Sequence, residues 1–364
     1  MNLPRGKMAL PRHSAGLTLI EVMVAIVIAL ILLAVTVSIF VANKRSYSEQ
    51  EQTSRLQENA RYALDVLTRD IRMAGYSGCG AYNNPSAMHN HVNGAAYDFT
   101  DSIEGFEGTE NNGKWHPTNA APPSFASGGS DGITLRYLDT NIVNVSADMA
   151  STGDVVTVSI PNASQLPAPN SNIAVSDCVS TDVFTVGAVA TPGAYPATVT
   201  LPQAGNVAVN DGVCTAAANN LCNTYGATFS KVSIGGFKEN HYYIGDGDCD
   251  NTTADDGQRN LCLAVGTAAG QPLAEGIEHM EILYGEDTNG DRVADAYRQA
   301  DAVTNWANVV SVQIALLARS PDQTGVDLDA KTYQLLNTNY GPMNDRYRRR
   351  VYTATVLLRN RINQ

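Results

Sequence analysis

The chain has 364 residues, enough for one large domain or two small ones beyond any anchoring segment. A hydrophobic content of 44% excludes a chain that is disordered throughout. The net charge of −12 argues against non-specific binding to nucleic acid or to anionic membrane surfaces.

Residues 1–16 carry Arg5, Lys7 and Arg12 and no acid. Val22 to Ala42 then gives 21 residues in which only Thr36 and Ser38 are polar. As a helix rising 1.5 Å per residue, this run spans roughly 30 Å, the thickness of a bilayer core. A core helix of a soluble protein rarely runs so long without a polar face. A secretory signal peptide has a shorter apolar region and a small-x-small cleavage site, which Phe40-Val41-Ala42 does not offer. The run predicts a membrane helix that stays, and the basic residues ahead of it predict a cytoplasmic N-terminus.

One carboxylate interrupts the apolar segment. At the centre of a membrane helix it costs about 2.5–3.5 kcal/mol or more, and less near the end. Gly16 is followed by Leu17-Thr18-Leu19-Ile20-Glu21 and then the apolar run. This pattern resembles the type III signal of type IV prepilins and type II secretion pseudopilins. The resemblance implies that a prepilin peptidase cuts between Gly16 and Leu17 on the cytoplasmic side and methylates Leu17. Family members more often begin with phenylalanine; Leu17 departs from this but is large and apolar. Loss of the leader leaves a mature chain of net charge −15 with Glu21 as its fifth residue. The resemblance further implies that Glu21 pairs with the N-terminal amine of a neighbouring subunit. Burial physics agrees, because an unpaired buried carboxylate is far less favourable than a paired one. Glu21 is therefore expected to set the register between adjacent subunits.

Beyond the apolar run, Leu56, Ala60, Ala63, Leu64, Leu67 and Ile71 recur at three- and four-residue spacing, with charges on the other faces. One helix is predicted from Leu17 to Ala74, ended by Gly75. Its amphipathic half needs a sheet to pack against. Residues 75–132 read as loop, rich in Asn, Gly, Pro and Ser. His89 and His91 lie in this polar stretch and read as a solvated pair.

Short β-type runs follow at Ile133–Leu138, Asp154–Ile160, Asp182–Val186, Ala197–Leu201, Thr228–Ile234 and His241–Ile244. Longer ones are Ile277–Tyr284, Val309–Ala318 and Val351–Leu358. The middle reads as a β-rich insertion and the late strands as a core sheet. Arg346, Arg348, Arg349 and Arg350 read as a solvated turn before the last strand.

Six cysteines, Cys79, Cys178, Cys214, Cys222, Cys249 and Cys262, all lie beyond the apolar run. An even count in an exported region suggests disulfides, and fifteen pairings are formally open. Chain proximity favours Cys214–Cys222 and Cys249–Cys262, leaving Cys79–Cys178. The absence of C-x-x-C, or of histidine at ligand spacing, argues against zinc. No G-x-x-x-x-G-K-[ST] or H-E-x-x-H is present, so no enzyme motif stands out.

In "EDTNGDRVADAY", Asp287, Asn289, Asp291 and Asp295 fall at relative positions 1, 3, 5 and 9, with the Val293 carbonyl at 7. Calcium loops gather hard oxygen ligands in this way. Arg292 stands where such a loop needs glycine, and Arg298 where it needs a bidentate glutamate, which rules out a full EF-hand. A weak calcium loop and a plain turn signalled by Asn-Gly both remain open. "GDGDCDNTTADDG", with Asp246, Asp248, Asp250, Asp255 and Asp256, is a poorer candidate because Cys249 interrupts it.

"RDIRMAGYSGC" (Arg69–Cys79) and "VYTATVLLRNR" (Val351–Arg361) resemble the PilW family of minor pilins. Pseudopilin J of type II secretion shares the signal and a similar closing strand, but it is usually shorter and lacks so large a β-rich middle. The resemblance implies an α+β, pilin-like fold. A long N-terminal helical spine, its first half transmembrane, packs on a C-terminal antiparallel β-rich globular domain. The expected segments are a leader at 1–16, the spine at 17–75 and the globular domain at 76–364. The resemblance also implies a non-enzymatic structural subunit, held by one pass in the inner membrane and then assembled into a pilus. Its expected partners are the prepilin peptidase, the inner-membrane assembly machinery, the major pilin and other minor pilins.

Overall fold

The computed structural model describes residues 18–76, 88–92, 102–108, 129–177, 179–210, 214–234, 236–249, 258–266, 268–323 and 327–362. The chain forms two compact units, Met1–Glu51 and Gln52–Gln364. The helix α1 (Leu19–Met73) contributes to both, close to the predicted span.

In the first unit α1 is apolar on every face from Val22 to Ala42, apart from two hydroxyls. Its most apolar 18-residue stretch has a mean hydropathy of 3.2, and none of that stretch is buried. The polar side chains are satisfied inside the helix. Thr36 Oγ1 donates to the carbonyls of Leu32 (3.1 Å) and Leu33 (2.8 Å), and Ser38 Oγ to that of Val35 (2.8 Å). No hydroxyl in this run is left without an acceptor, as a hydrocarbon environment requires.

In the second unit α1 buries one stripe, made of Gln52, Leu56, Ala60, Ala63, Leu67 and Ile71. Ala60 and Ala63 are fully buried, so the helix backbone approaches closely. Each fully buried Leu or Ile is worth about 1.5–3 kcal/mol. Gly75, at φ 75°, takes the left-handed conformation that ends a helix at low cost.

Among the described residues, twenty strands numbered along the chain form five sheets. A five-stranded antiparallel sheet is built from β2 (Ile103–Phe106), β3 (Gly132–Leu138), β12 (Phe237–Gly245), β13 (Asn260–Val265) and β14 (Gln271–Glu275). Its order is β14–β13–β12–β3–β2. A four-stranded antiparallel sheet joins β15 (Ile277–Glu286), β16 (Ala296–Arg298), β17 (Val309–Arg319) and β20 (Arg349–Leu357), in the order β16–β15–β17–β20. The buried stripe of α1 packs across both sheets, against Ile133, Leu135, Tyr242, Ile282, Ile314 and Leu316 among others. Asp70 of α1 fixes this contact by accepting from Tyr137 Oη (3.1 Å), Asn240 Nδ2 (2.7 Å) and Tyr242 Oη (2.6 Å). The last turn is closed by Asn360 in α2 (Arg359–Ile362). Its amide lies 3.2 Å from the carbonyls of Arg72, Met73 and Ala74, which the helix itself leaves unpaired.

The β-rich middle is a sheet of its own. It contains β1 (Met88–Asn90), β4 (Ile142–Ala147), β5 (Val156–Ile160), β6 (Asn172–Ser176), β7 (Thr181–Thr185), β8 (Ala197–Leu201) and β11 (Lys231–Ser233). The order is β1–β7–β6–β11–β4–β5–β8, and only the β1–β7 pair is parallel. Val145, Val158, Val175, Phe184, Val232 and Tyr225 form part of a separate core. Two short hairpins complete the set: β9 (Val209–Asn210) with β10 (Thr215–Ala216), and β18 (Tyr333–Leu335) with β19 (Thr338–Tyr340).

Three expectations change. Residues 75–132 are not loop throughout, since β1 and β2 lie in them. His89 and His91 are buried rather than solvated, at 3% and 0% exposure. Arg349 belongs to β20 and is buried among carboxylates, while Arg348 and Arg350 on either side are exposed. The alternation of a strand, not a turn, decides which arginine meets water.

Candidate functional sites

At the head of α1, Gly16 and Leu17 lie outside the described residues. Thr18 and Glu21 form a reciprocal cap. The Thr18 N–H and Oγ1 both donate to Glu21 Oε2 at 2.9 Å, and the Glu21 N–H lies 3.4 Å from Thr18 Oγ1. This is the capping-box arrangement, which satisfies donors that a helix start leaves unpaired. A negative side chain in the first turn also suits the helix dipole. The expected docking carboxylate is therefore stabilised locally, at an exposed helix end.

The acidic loop joins β15 to β16. Asp287 accepts from the N–H groups of Asn289 (3.2 Å), Gly290 (2.7 Å) and Arg292 (2.8 Å). Asp295 Oδ2 accepts from Thr288 N–H (2.7 Å) and Oγ1 (2.8 Å), while Asn289 Nδ2 donates to Asp295 Oδ1 (2.9 Å) and Asp291 Oδ2 (3.3 Å). The Val293 N–H donates to Asp291 Oδ1 at 2.9 Å. Arg292 adopts φ 70°, the conformation for which glycine was expected at that position. The structure thus brings the predicted residues into one turn. That turn is held by its own donors, and its carboxylates do not form one of the tight acid groupings among the described residues. Of the second acidic stretch, Asp250, Asp255 and Asp256 lie outside the described residues.

Two disulfides are present among the described residues. Cys214–Cys222 and Cys249–Cys262 have Cα–Cα distances of 5.8 and 5.9 Å. The expected Cys79–Cys178 pair lies outside the described residues.

The buried polar groups were not legible in the sequence. Arg349 holds Asp345 in a bidentate pair (2.6 Å twice), Glu278 at 2.5 and 2.9 Å, and Asp329 at 3.2 Å. Arg136 bridges Glu104 and Glu239 at 3.0 Å each. In the seven-stranded sheet Asp182 collects His91 Nε2 (2.5 Å), Tyr225 Oη (2.6 Å) and the N–H groups of Cys222 (3.0 Å) and Asn223 (3.3 Å). His89 and His91 each approach Cys222, but its sulfur is committed to a disulfide and does not serve as a metal ligand. A last group, Glu107, Asp131 and Glu281, brings three carboxylates within 4.8 Å of one another. Burial, and then the charges of Glu281 and Glu107, push the Asp131 carboxyl up to about 8.

Comparison with known proteins places the two ends of the chain. Residues 11–37 match the prokaryotic N-terminal methylation motif, which spans Gly16, Leu17 and Glu21. Residues 241–360 match the family described as Type IV Pilus-assembly protein W, and this span runs from β12 through β20. No curated protein matches the chain. Among solved structures, the type IV-like pilin TTHA1219 from Thermus thermophilus is 12% identical with a TM-score of 0.31, covering 84% of this chain and 98% of that one. With a methylation motif at the head of its apolar helix and a PilW match in the sheets that helix backs onto, the chain is similar at both ends to type IV pilus proteins of the PilW kind.

Proposed function

We propose that the chain is a non-enzymatic minor subunit of a type IV pilus. It is cut between Gly16 and Leu17, methylated on Leu17, and held in the inner membrane with its N-terminus cytoplasmic and its β domain outside. It then assembles with other minor pilins and the major pilin, and helps to prime the filament. The observation that carries this reading is the capped Glu21 at the start of a helix whose most apolar stretch has none of its surface buried. Such a surface calls for lipid or for neighbouring helices of the same kind. On assembly, Glu21 exchanges Thr18 for the amine of an adjacent subunit.

Mass spectrometry of the N-terminus in purified pili tests the reading. A methylated Leu17 is expected. An intact leader, or absence of the chain from pili, overturns it. Glu21→Ala is expected to insert and to be cleaved, yet to be depleted in sheared pili on immunoblot. Normal incorporation removes the docking role. The 287–295 loop is retained as a weak calcium turn, tested by a calcium-induced rise in Tm that is smaller in Asp291→Ala than in wild type.

A second reading is a displayed binding module. The seven-stranded sheet supports it, because it has its own core and lies outside the PilW-matched residues. Deleting the gene separates the two. Loss of surface pili supports assembly, and normal piliation with lost adhesion supports binding.

A further inference from the structure

Buried acids in the α1-backed sheets are paired with arginine, as in Glu278 with Arg319 and Arg349, or Glu239 with Arg136. Glu107 follows β2, Asp131 precedes β3, and Glu281 lies in β15. Asp131 and Glu281 are 3% and 4% exposed. Among the described residues no basic side chain pairs with any of these three. An uncompensated cluster of buried carboxylates is strongly unfavourable, so it calls for a cation or for protons.

The carboxylates are held in place by neutral donors. Asp131 accepts from the N–H groups of Gly108 (3.0 Å) and Ile282 (2.7 Å). Glu281 accepts from Thr338 Oγ1 (2.8 Å) and from the Tyr340 hydroxyl. Glu107 accepts from Gln299 Nε2 (2.5 Å) and the Ala300 N–H (3.3 Å). Each oxygen takes one donor and keeps a second acceptor position open.

A second observation points the same way. The Tyr284 hydroxyl is fully buried and has no hydrogen-bond partner among the described residues. It lies against Gly105, where a Cβ would come within 2.2 Å of it. Gly105 pairs with Ile133, so the hydroxyl sits two residues from Glu107 on one strand and two from Asp131 on the next. Burial, then the charges of Asp131, Glu107 and Glu104, raise its pKa. It is therefore a buried neutral oxygen left without a partner, close enough to Asp131 and Glu107 to feel their charges.

We propose that Glu107, Asp131 and Glu281 bind a calcium ion, with the Tyr284 hydroxyl beside it. Carboxylate oxygens are hard ligands, and calcium accepts the irregular geometry that three separate chain segments supply. The ion joins β2, β3 and β15, and so couples the two sheets that α1 crosses. Through Tyr340 and Thr338 it also seats the β18–β19 hairpin. This site is separate from the 287–295 loop and does not depend on the pilus reading.

The test uses full-length protein in detergent, stripped with chelator and titrated with calcium by calorimetry. Terbium luminescence excited through tyrosine serves as a second readout. Asp291→Ala is expected to lose only the weak 287–295 turn and to keep the cluster's calcium uptake. Glu281→Gln and Glu107→Gln, checked for folding by circular dichroism, are expected to lose at least tenfold in affinity. No calcium uptake at millimolar concentration overturns the proposal, as does uptake abolished by Asp291→Ala but unchanged by the other two. If Glu281→Gln does not fold, the half-buried Glu107→Gln decides alone.

Discussion

The α1-backed sheets and the seven-stranded sheet reach a dry interior by different routes. The first pair covers one face with a helix, and Leu56, Leu67 and Ile71 fill the space between. The second has no α-helix among the described residues and closes its core with its own strands and with Leu221 and Tyr225 from the segment before β11. Their polar interiors differ as well. Arginines neutralise Glu239 and Glu278 in the first, whereas Asp182 in the second is satisfied by His91, Tyr225 and backbone N–H groups. Each contains one of the described disulfides: Cys249–Cys262 reaches β13, and Cys214–Cys222 lies beside Asp182. The PilW match falls on residues 241–360, in the first region. The matched residues lie in the part that grips the helix. A sheet with its own core is free to change without loosening that grip.

The largest expected effect comes from Arg349→Ala. It strands Glu278, Asp329 and Asp345 without their cation, and breaking a buried pair costs about 3–5 kcal/mol. Urea unfolding of the protein in detergent measures it, and a loss under about 1 kcal/mol, the range of surface pairs, would remove the ion cluster from the account. Next, Phe184→Ala and Leu67→Ala are expected to cost about 3–5 and 2–5 kcal/mol. Hydrogen exchange then separates the two regions. Phe184→Ala should expose amides of β4 to β8 while α1 beyond Gln52 stays protected; equal exposure in both would mean that the two cores melt as one. Replacing Cys214 and Cys222 with serine is expected to cost about 2–3 kcal/mol, again confined to the seven-stranded sheet.

The smallest effects are the pH limbs. A hydrogen bond from Arg349 holds the Asp345 carboxyl below its usual value. A depressed acid stabilises above its unfolded pKa of about 3.9, so this contribution is complete there and is lost as pH falls further. Asp131 has the opposite sign. Its folded pKa of about 8 favours the protonated form, so in chelator its contribution is full below pH about 3.9 and declines as pH rises to 8. A melting curve series should show an acid limb that Arg349→Lys alters and a neutral limb that Asp131→Asn flattens.

The spine was legible because its signal is long and local: 21 apolar residues, then a buried stripe at helical spacing. The strands β3, β8, β15, β17 and β20 were legible because they alternate or run apolar between turn signals. Strands β4, β6, β13 and β14 were missed. Asn172–Ser176 and Gln271–Glu275 are short, and β14 carries Pro272, which is tolerated because β14 is an edge strand. The acidic loop was legible as one local group because its residues are neighbours in sequence. The Glu107, Asp131 and Glu281 cluster was not, because three distant segments meet only after β15 is laid beside the strand leading into β3. Arg349 was misread for the same reason, since its partners come from two other stretches of chain.

The amide of Asn360 closes the last turn of α1 from 287 residues further along the chain. A ribosome makes the helix early and that amide late. Until the late segment docks, the carbonyls of Arg72 and Ala74 wait for the Asn360 amide, while that of Met73 already accepts from the Tyr76 N–H. The spine is finished only when the rest of the domain has arrived, so a prematurely terminated chain would carry a frayed helix into the queue for assembly.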